Sequence, residues 1–121
     1  MKGNSLWQRV GYATDGLRAA LAHEASFRTQ VGIAVGWLVV LALLRLDAGW
    51  WLFNLFCIAL VLSAELFNTA LEHLADRLHP ERDPAIKVAK DCAAGAVLIL
   101  ALLAVIVGVT TLWVMVPQLT G

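Results

Sequence analysis

The chain has 121 residues, 60% of them hydrophobic and only 15% charged, with nine Lys/Arg against nine Asp/Glu. A mean hydropathy of +0.77 is too high for a soluble domain of this size, which needs more polar surface. The balanced charge, with no basic cluster standing alone, argues against nucleic acid as a partner, and two cysteines without a CxxC pattern suggest neither a zinc site nor a disulfide framework.

Residues 5–28 read as an amphipathic helix lying on a membrane. At about 100° per residue, Leu6, Val10, Ala13, Leu17, Ala20 and Leu21 share one face, with Gln8, Asp15 and Arg18 on the other. Gly11 and Gly16 are the points where such a helix would break. The first 28 residues carry Lys2, Arg9, Arg18 and Arg28 and lack an uninterrupted apolar run, so no cleavable signal peptide is apparent. Glu24 is the anomaly: about five turns from Leu6, it projects from the apolar face unless the helix has already ended there.

Three apolar runs follow, each of about the 20 residues that cross the hydrocarbon core as a helix. The spans are expected at 30–47, 49–78 and 84–117 within a single membrane domain covering 1–121. The first ends at Arg45-Leu46-Asp47, and the short turn makes spans one and two antiparallel neighbours. Trp50 and Trp51 suit the outer interface. Pro80 breaks the second helix, and Asp83-Pro84 looks like an N-cap with proline at the first helical position. Ala93-Ala94-Gly95-Ala96 is a small-residue patch that lets helices approach closely. Lysines and arginines concentrate before residue 29 and again between 75 and 92, with none after the third span. The positive-inside rule then places the N-terminus and the 75–92 connection in the cytoplasm and the C-terminus outside, which in a bacterium means the inner membrane.

On the second span Glu65, Asn68, Glu72 and Asp76 fall within about 80° of one another around the helix, a polar stripe running from the membrane interior toward the cytoplasm. Lys87, Lys90 and Asp91 line the start of the third span, and Glu24 approaches the same level. Carboxylate oxygens suit Mg²⁺, lysines suit phosphate, and a deeper carboxylate can take a proton from a lipid hydroxyl. Together these are parts for metal-assisted phosphoryl transfer, although the phosphate-binding loops of soluble kinases are missing from the sequence. From spacing alone, an intramembrane carboxylate such as Glu65 equally suits helix pairing or proton-coupled transport. Asp76 reads as readily as a solvated helix end, Lys87 as an interfacial side chain, and His23, His73 and His79 as interfacial residues without shared ligand geometry.

The segments "GLRAAL" (16–21), "EASFR" (24–28), "AELFNTALEHLADRL" (64–78) and "KVAKDCAAGAVLI" (87–99) resemble the prokaryotic diacylglycerol kinase family of small integral membrane enzymes. The resemblance implies an all-α membrane fold, three transmembrane helices plus an N-terminal surface helix, assembled as a homotrimer. It implies transfer of the γ-phosphoryl group of Mg-ATP to a membrane lipid hydroxyl, with Mg²⁺ as cofactor and diacylglycerol as substrate. Carried over by position, Glu65 is the general base and Asn68 orients groups at the reacting centre. Glu24 and Glu72 are metal ligands, and Lys90 and Asp91 form a nucleotide-binding pair. Tyr12, Glu81, Arg82 and Asp83 are expected near the nucleotide, and Arg9, Arg18, Ala94 and Trp113 near the lipid. Where the family often has a basic residue before the tyrosine, this chain has Ser5, so that either Arg9 takes over or the contact is missing. Some relatives phosphorylate undecaprenol; "EASFRTQ" looks closer to the diacylglycerol kinases.

Overall fold

A computed structural model describes residues 5–120; Lys2, counted above among the N-terminal cations, lies outside them. Four α-helices follow one another: α1 (Leu6–His23), α2 (Ala25–Leu43), α3 (Ala48–Leu78) and α4 (Pro84–Thr120). Among the described residues there is no strand. The last three helices are long and apolar enough to cross a membrane.

The start of α1 is fixed locally by a capping box. The Gln8 amide donates to Ser5 Oγ at 3.2 Å, and the Ser5 amide donates to Gln8 Oε1 at 2.9 Å, which satisfies two N–H groups that the first turn leaves without helical partners. Gly11 and Gly16 lie inside the helix rather than at a break, because two glycines in eighteen residues cost a helix only about 2 kcal/mol.

The break comes at Glu24, whose backbone is extended (φ −113°, ψ 103°) and serves both as C-cap of α1 and N-cap of α2. Arg28 supports it, reaching back to donate to the carbonyls of Leu21 and Ala22, both at 3.0 Å. These carbonyls lack helical partners at the end of α1, and a guanidinium there also opposes the negative end of the helix dipole. The first candidate span therefore begins at Ala25, five residues earlier than hydropathy suggests, and α1 ends at His23 rather than at the 28 expected.

Between α2 and α3, Arg45 takes a left-handed conformation at φ 54°, a geometry that glycine or asparagine usually fills after a helix end. At the next connection Asp83 Oδ1 accepts the amides of Ala85 (2.8 Å) and Ile86 (3.3 Å), capping α4 at Pro84 where proline fits the first turn. α4 continues past Pro117 to Thr120.

The bundle closes at the end holding the α2–α3 turn. Leu41, Leu44 and Met115 are buried there, covered by Trp37, Trp50, Trp51 and Leu112. Just inside, three helices share one polar network. Trp37 Nε1 donates to Asn54 Oδ1 at 3.0 Å, while Asn54 Nδ2 donates to Thr111 Oγ1 at 3.0 Å and to the Trp50 carbonyl at 2.9 Å. Asn54 and Thr111 are almost wholly buried, so their polar atoms must find partners within the protein. Gly108 makes the approach of α2 possible, since a Cβ there would sit 3.3 Å from Trp37 Cζ2. The remaining faces of α3 and α4, including Phe53, Phe56, Leu98, Ile99, Leu102 and Ile106, are open and apolar, as hydrocarbon requires.

Candidate active site

The up-down-up course brings the N-termini of α2 and α4 and the C-terminus of α3 to the other end. With 31 residues, α3 is about 46 Å long, well over the roughly 30 Å of a hydrocarbon core. Glu65 lies about 26 Å along it from Ala48 and Asp76 about 16 Å farther. The first is thus at the margin of the apolar zone and the second in the polar zone beyond.

Glu65 is only 5% exposed. Its Oε1 accepts a hydrogen bond from Ser26 Oγ at 2.5 Å. One turn on, Asn68 Nδ2 donates to Glu72 Oε1 at 3.1 Å, while the Asn68 carbonyl oxygen is buried without a hydrogen-bond partner. An unpaired buried acceptor beside a carboxylate is costly. Glu24, carried inward by the break before α2, meets His73 Nε2 through Oε1 at 2.5 Å; Glu72 and Asp76 also lie within electrostatic reach of that imidazole. Glu24, Glu65 and Glu72 therefore meet at one end of the bundle, two from α3 and one from the junction before α2.

The cations occupy the adjoining side. Lys90 pairs with Asp76 across α4 and α3, Lys87 pairs with Asp91 at 2.6 Å within α4, and His79 Nε2 lies 3.6 Å from Asp83 Oδ2. Lys90 and Asp91 are not joined to each other, for consecutive helical residues do not face one another. A cavity of about 700 Å³ opens here, lined by Asp76, Glu81, Arg82, Asp83, Lys87 and Lys90. Three cations and three carboxylates line it, so a polyphosphate would gain the lysines by displacing partners such as Asp76. A second, largely apolar cleft of about 560 Å³ runs between α1 and α3 beside Glu24, lined by small residues such as Ala13, Gly16 and Ala20.

The remaining expected site residues are more dispersed. Tyr12, Arg9 and Arg18 lie on the open surface of α1, and Ala94 is exposed on α4. Trp113 is 81% exposed and about 35 Å along α4 from Lys90, so the structure does not bring it to this cluster. Asp83 spends Oδ1 on capping α4. Ser26, His73 and Asn54 carry contacts that the sequence pattern did not single out. Ser26 and His73 gain theirs only through the break at Glu24. Asn54, the lone amide in an apolar run, was the visible signal for a buried network.

A family model described as prokaryotic diacylglycerol kinase matches residues 11–112. The chain belongs to the prokaryotic diacylglycerol kinase family. It is 40% identical to the diacylglycerol kinase of Escherichia coli strain K12 over 105 residues, covering 86% of this chain and 85% of that one. The diacylglycerol kinase of Pseudomonas aeruginosa PAO1 is 35% identical over 99 residues, 78% of this chain and 80% of its own. The undecaprenol kinase of Bacillus subtilis strain 168 is 31% identical over 105 residues, 87% and 85% respectively. As a member of this family the chain is an enzyme, a lipid kinase, for which ATP is the implied phosphoryl donor.

Proposed function

We propose that this family member phosphorylates diacylglycerol to phosphatidic acid at the cytoplasmic face of a bacterial inner membrane. The observation that carries the reading is the depth of the polar stripe. Glu65 lies at the margin of the apolar zone, where a lipid hydroxyl resides, and Asp76 lies about 16 Å away in the lining of the cavity that holds Arg82, Lys87 and Lys90. The nucleotide phosphates enter from the Lys87 and Lys90 side, and the lipid enters from the bilayer. Glu65 accepts the proton as the lipid hydroxyl oxygen bonds to the γ-phosphorus; the bond from that phosphorus to the β–γ bridging oxygen breaks, and ADP leaves. Asn68 orients the reacting groups through its bond to Glu72.

No set of three or more His, Cys, Asp or Glu side chains converges on a metal position among the described residues. The donors nevertheless fit Mg²⁺, which takes one or two carboxylates and completes its shell with water and phosphate oxygens. Glu24 and Glu72 are hard oxygen donors that both act on His73, and Glu72 is oriented by the Asn68 amide. When bound, Mg²⁺ neutralises charge on the transferring phosphoryl group. Lys90 and Asp91, with Tyr12, Glu81, Arg82 and Asp83, complete the nucleotide side; Arg9, Arg18 and Ala94 belong with the lipid headgroup, and Trp113 could meet only its distal chain. Self-association as a homotrimer would cover the open apolar faces and enclose the site, and the distribution of Lys and Arg supports the stated orientation.

Diacylglycerol is favoured because the relatives from Escherichia coli K12 and Pseudomonas aeruginosa that are named diacylglycerol kinase are 40% and 35% identical to this chain, against 31% for the undecaprenol kinase. The test is phosphate transfer from γ-labelled ATP with diacylglycerol and undecaprenol offered side by side in mixed micelles, with and without Mg²⁺. Label on diacylglycerol that requires Mg²⁺ is expected. Label chiefly on undecaprenol would overturn the substrate, and undiminished transfer without divalent metal would overturn the roles of Glu24 and Glu72.

A further inference from the structure

Three contacts converge on the five residues that follow α1. Arg28 ties them back to the α1 carbonyls, Glu24 reaches His73 on α3, and Ser26 reaches Glu65 on α3. Glu65 and His73 are eight residues apart, about 12 Å along one helix. The extended backbone at Glu24 lets two side chains only two residues apart in sequence span that distance. From this geometry we infer that Ser26 is a positioning residue for Glu65. Its hydroxyl holds Oε1, selects one rotamer of the carboxylate and leaves Oε2 to meet the lipid hydroxyl. The inference rests on the general-base reading of Glu65.

Two physical points support it. An unrestrained glutamate samples several rotamers, whereas a base must stay within hydrogen-bond reach of the proton it removes. Among the described residues, the hydrogen bond from Ser26 is the one that Glu65 receives. Glu65 is only 5% exposed, whereas Ser26 is exposed. The donor also sits in the first turn of α2, so the base is registered against the same junction that carries Glu24.

The experiment compares wild type, Ser26→Ala, Ser26→Cys, Ser26→Thr and Glu65→Gln in micelles, recording kcat, KM for Mg-ATP and for diacylglycerol, and thermal midpoint. Ser26→Ala should lower kcat about tenfold, the scale of one lost charge-assisted hydrogen bond, with both KM values within about twofold of wild type. Ser26→Thr, which keeps the hydroxyl, should recover most of kcat. Ser26→Cys, close in size but a weak donor, should resemble alanine and serves if the alanine variant fails to fold. Adding Ser26→Ala to Glu65→Gln should cost nothing more, because the two act as one unit. Full kcat in folded Ser26→Ala or Ser26→Cys, with Glu65→Gln inactive, overturns the role of Ser26 alone. Full activity in Glu65→Gln overturns the base assignment and this inference together. Matched losses of kcat, affinity and thermal midpoint without rescue by threonine would make Ser26 merely structural and overturn it as well.

Discussion

The two ends of this bundle are held together by different physics. Around Leu41, Leu44 and Met115 the helices close on buried apolar side chains and on a three-helix network centred on Asn54. Around Glu65, Glu72, Asp76 and Lys90 they meet through polar pairs, most with an exposed member, and leave two open cavities. Exposed ion pairs contribute about 0–1 kcal/mol each, so the polar end cannot be what keeps the helices in register. The closed end supplies the register, which leaves the polar end free to exchange its pairings for a substrate. Lys90 can leave Asp76, and Glu24 can leave His73, at small cost. Glu65 is the exception, a buried carboxylate with a fixed partner.

This contrast is sharpest in Glu65→Gln. The amide oxygen can still accept from Ser26, so stability should hold, while turnover falls by about 10²–10⁴-fold, the range for loss of a general base; kcat measured beside a thermal melt separates the two. Next in size, Glu24→Ala and Glu72→Ala should each raise the Mg²⁺ concentration needed for half-maximal rate by about tenfold, equivalent to ~1.4 kcal/mol. Metal titrations at fixed ATP check this. At the closed end the pattern should invert. Asn54→Ala leaves Trp37 and Thr111 without their shared partner and should cost about 1–2 kcal/mol of stability, with kcat per folded molecule unchanged; loss of turnover without loss of stability there would break the division. The smallest effect is expected at Arg45→Gly. Relief of the left-handed conformation should stabilise by about 0.5–1 kcal/mol in denaturant unfolding, again without touching kcat.

How much of this was legible in the sequence differs by element. The stripe on α3 was, because a 3.6-residue period places Glu65, Asn68, Glu72 and Asp76 on one side whatever surrounds the helix. The cap at Asp83 was equally local, one side chain and two neighbouring amides. The break at Glu24 was legible only as an alternative, signalled by a glutamate on the apolar face, and its contacts were not, since Arg28 folds back to Leu21 and Ala22 and His73 receives the glutamate from another helix. Helical periodicity extended through residues 25–28 therefore set the end of α1 too late. The same break decides whether Glu24 meets the stripe and whether Ser26 meets Glu65. The partners of Lys90 and Asp91 were hidden for a related reason: adjacency in sequence puts consecutive side chains on different faces, and each finds its partner a turn or a helix away.

The central claim is that Glu65 serves chemistry rather than binding or architecture. The most direct measurement takes one folded sample of Glu65→Gln and determines both its affinity for Mg-ATP and its transfer of γ-label to diacylglycerol. An affinity within about twofold of wild type, with label transfer lost, is the predicted result. Wild-type transfer from the same sample would contradict it.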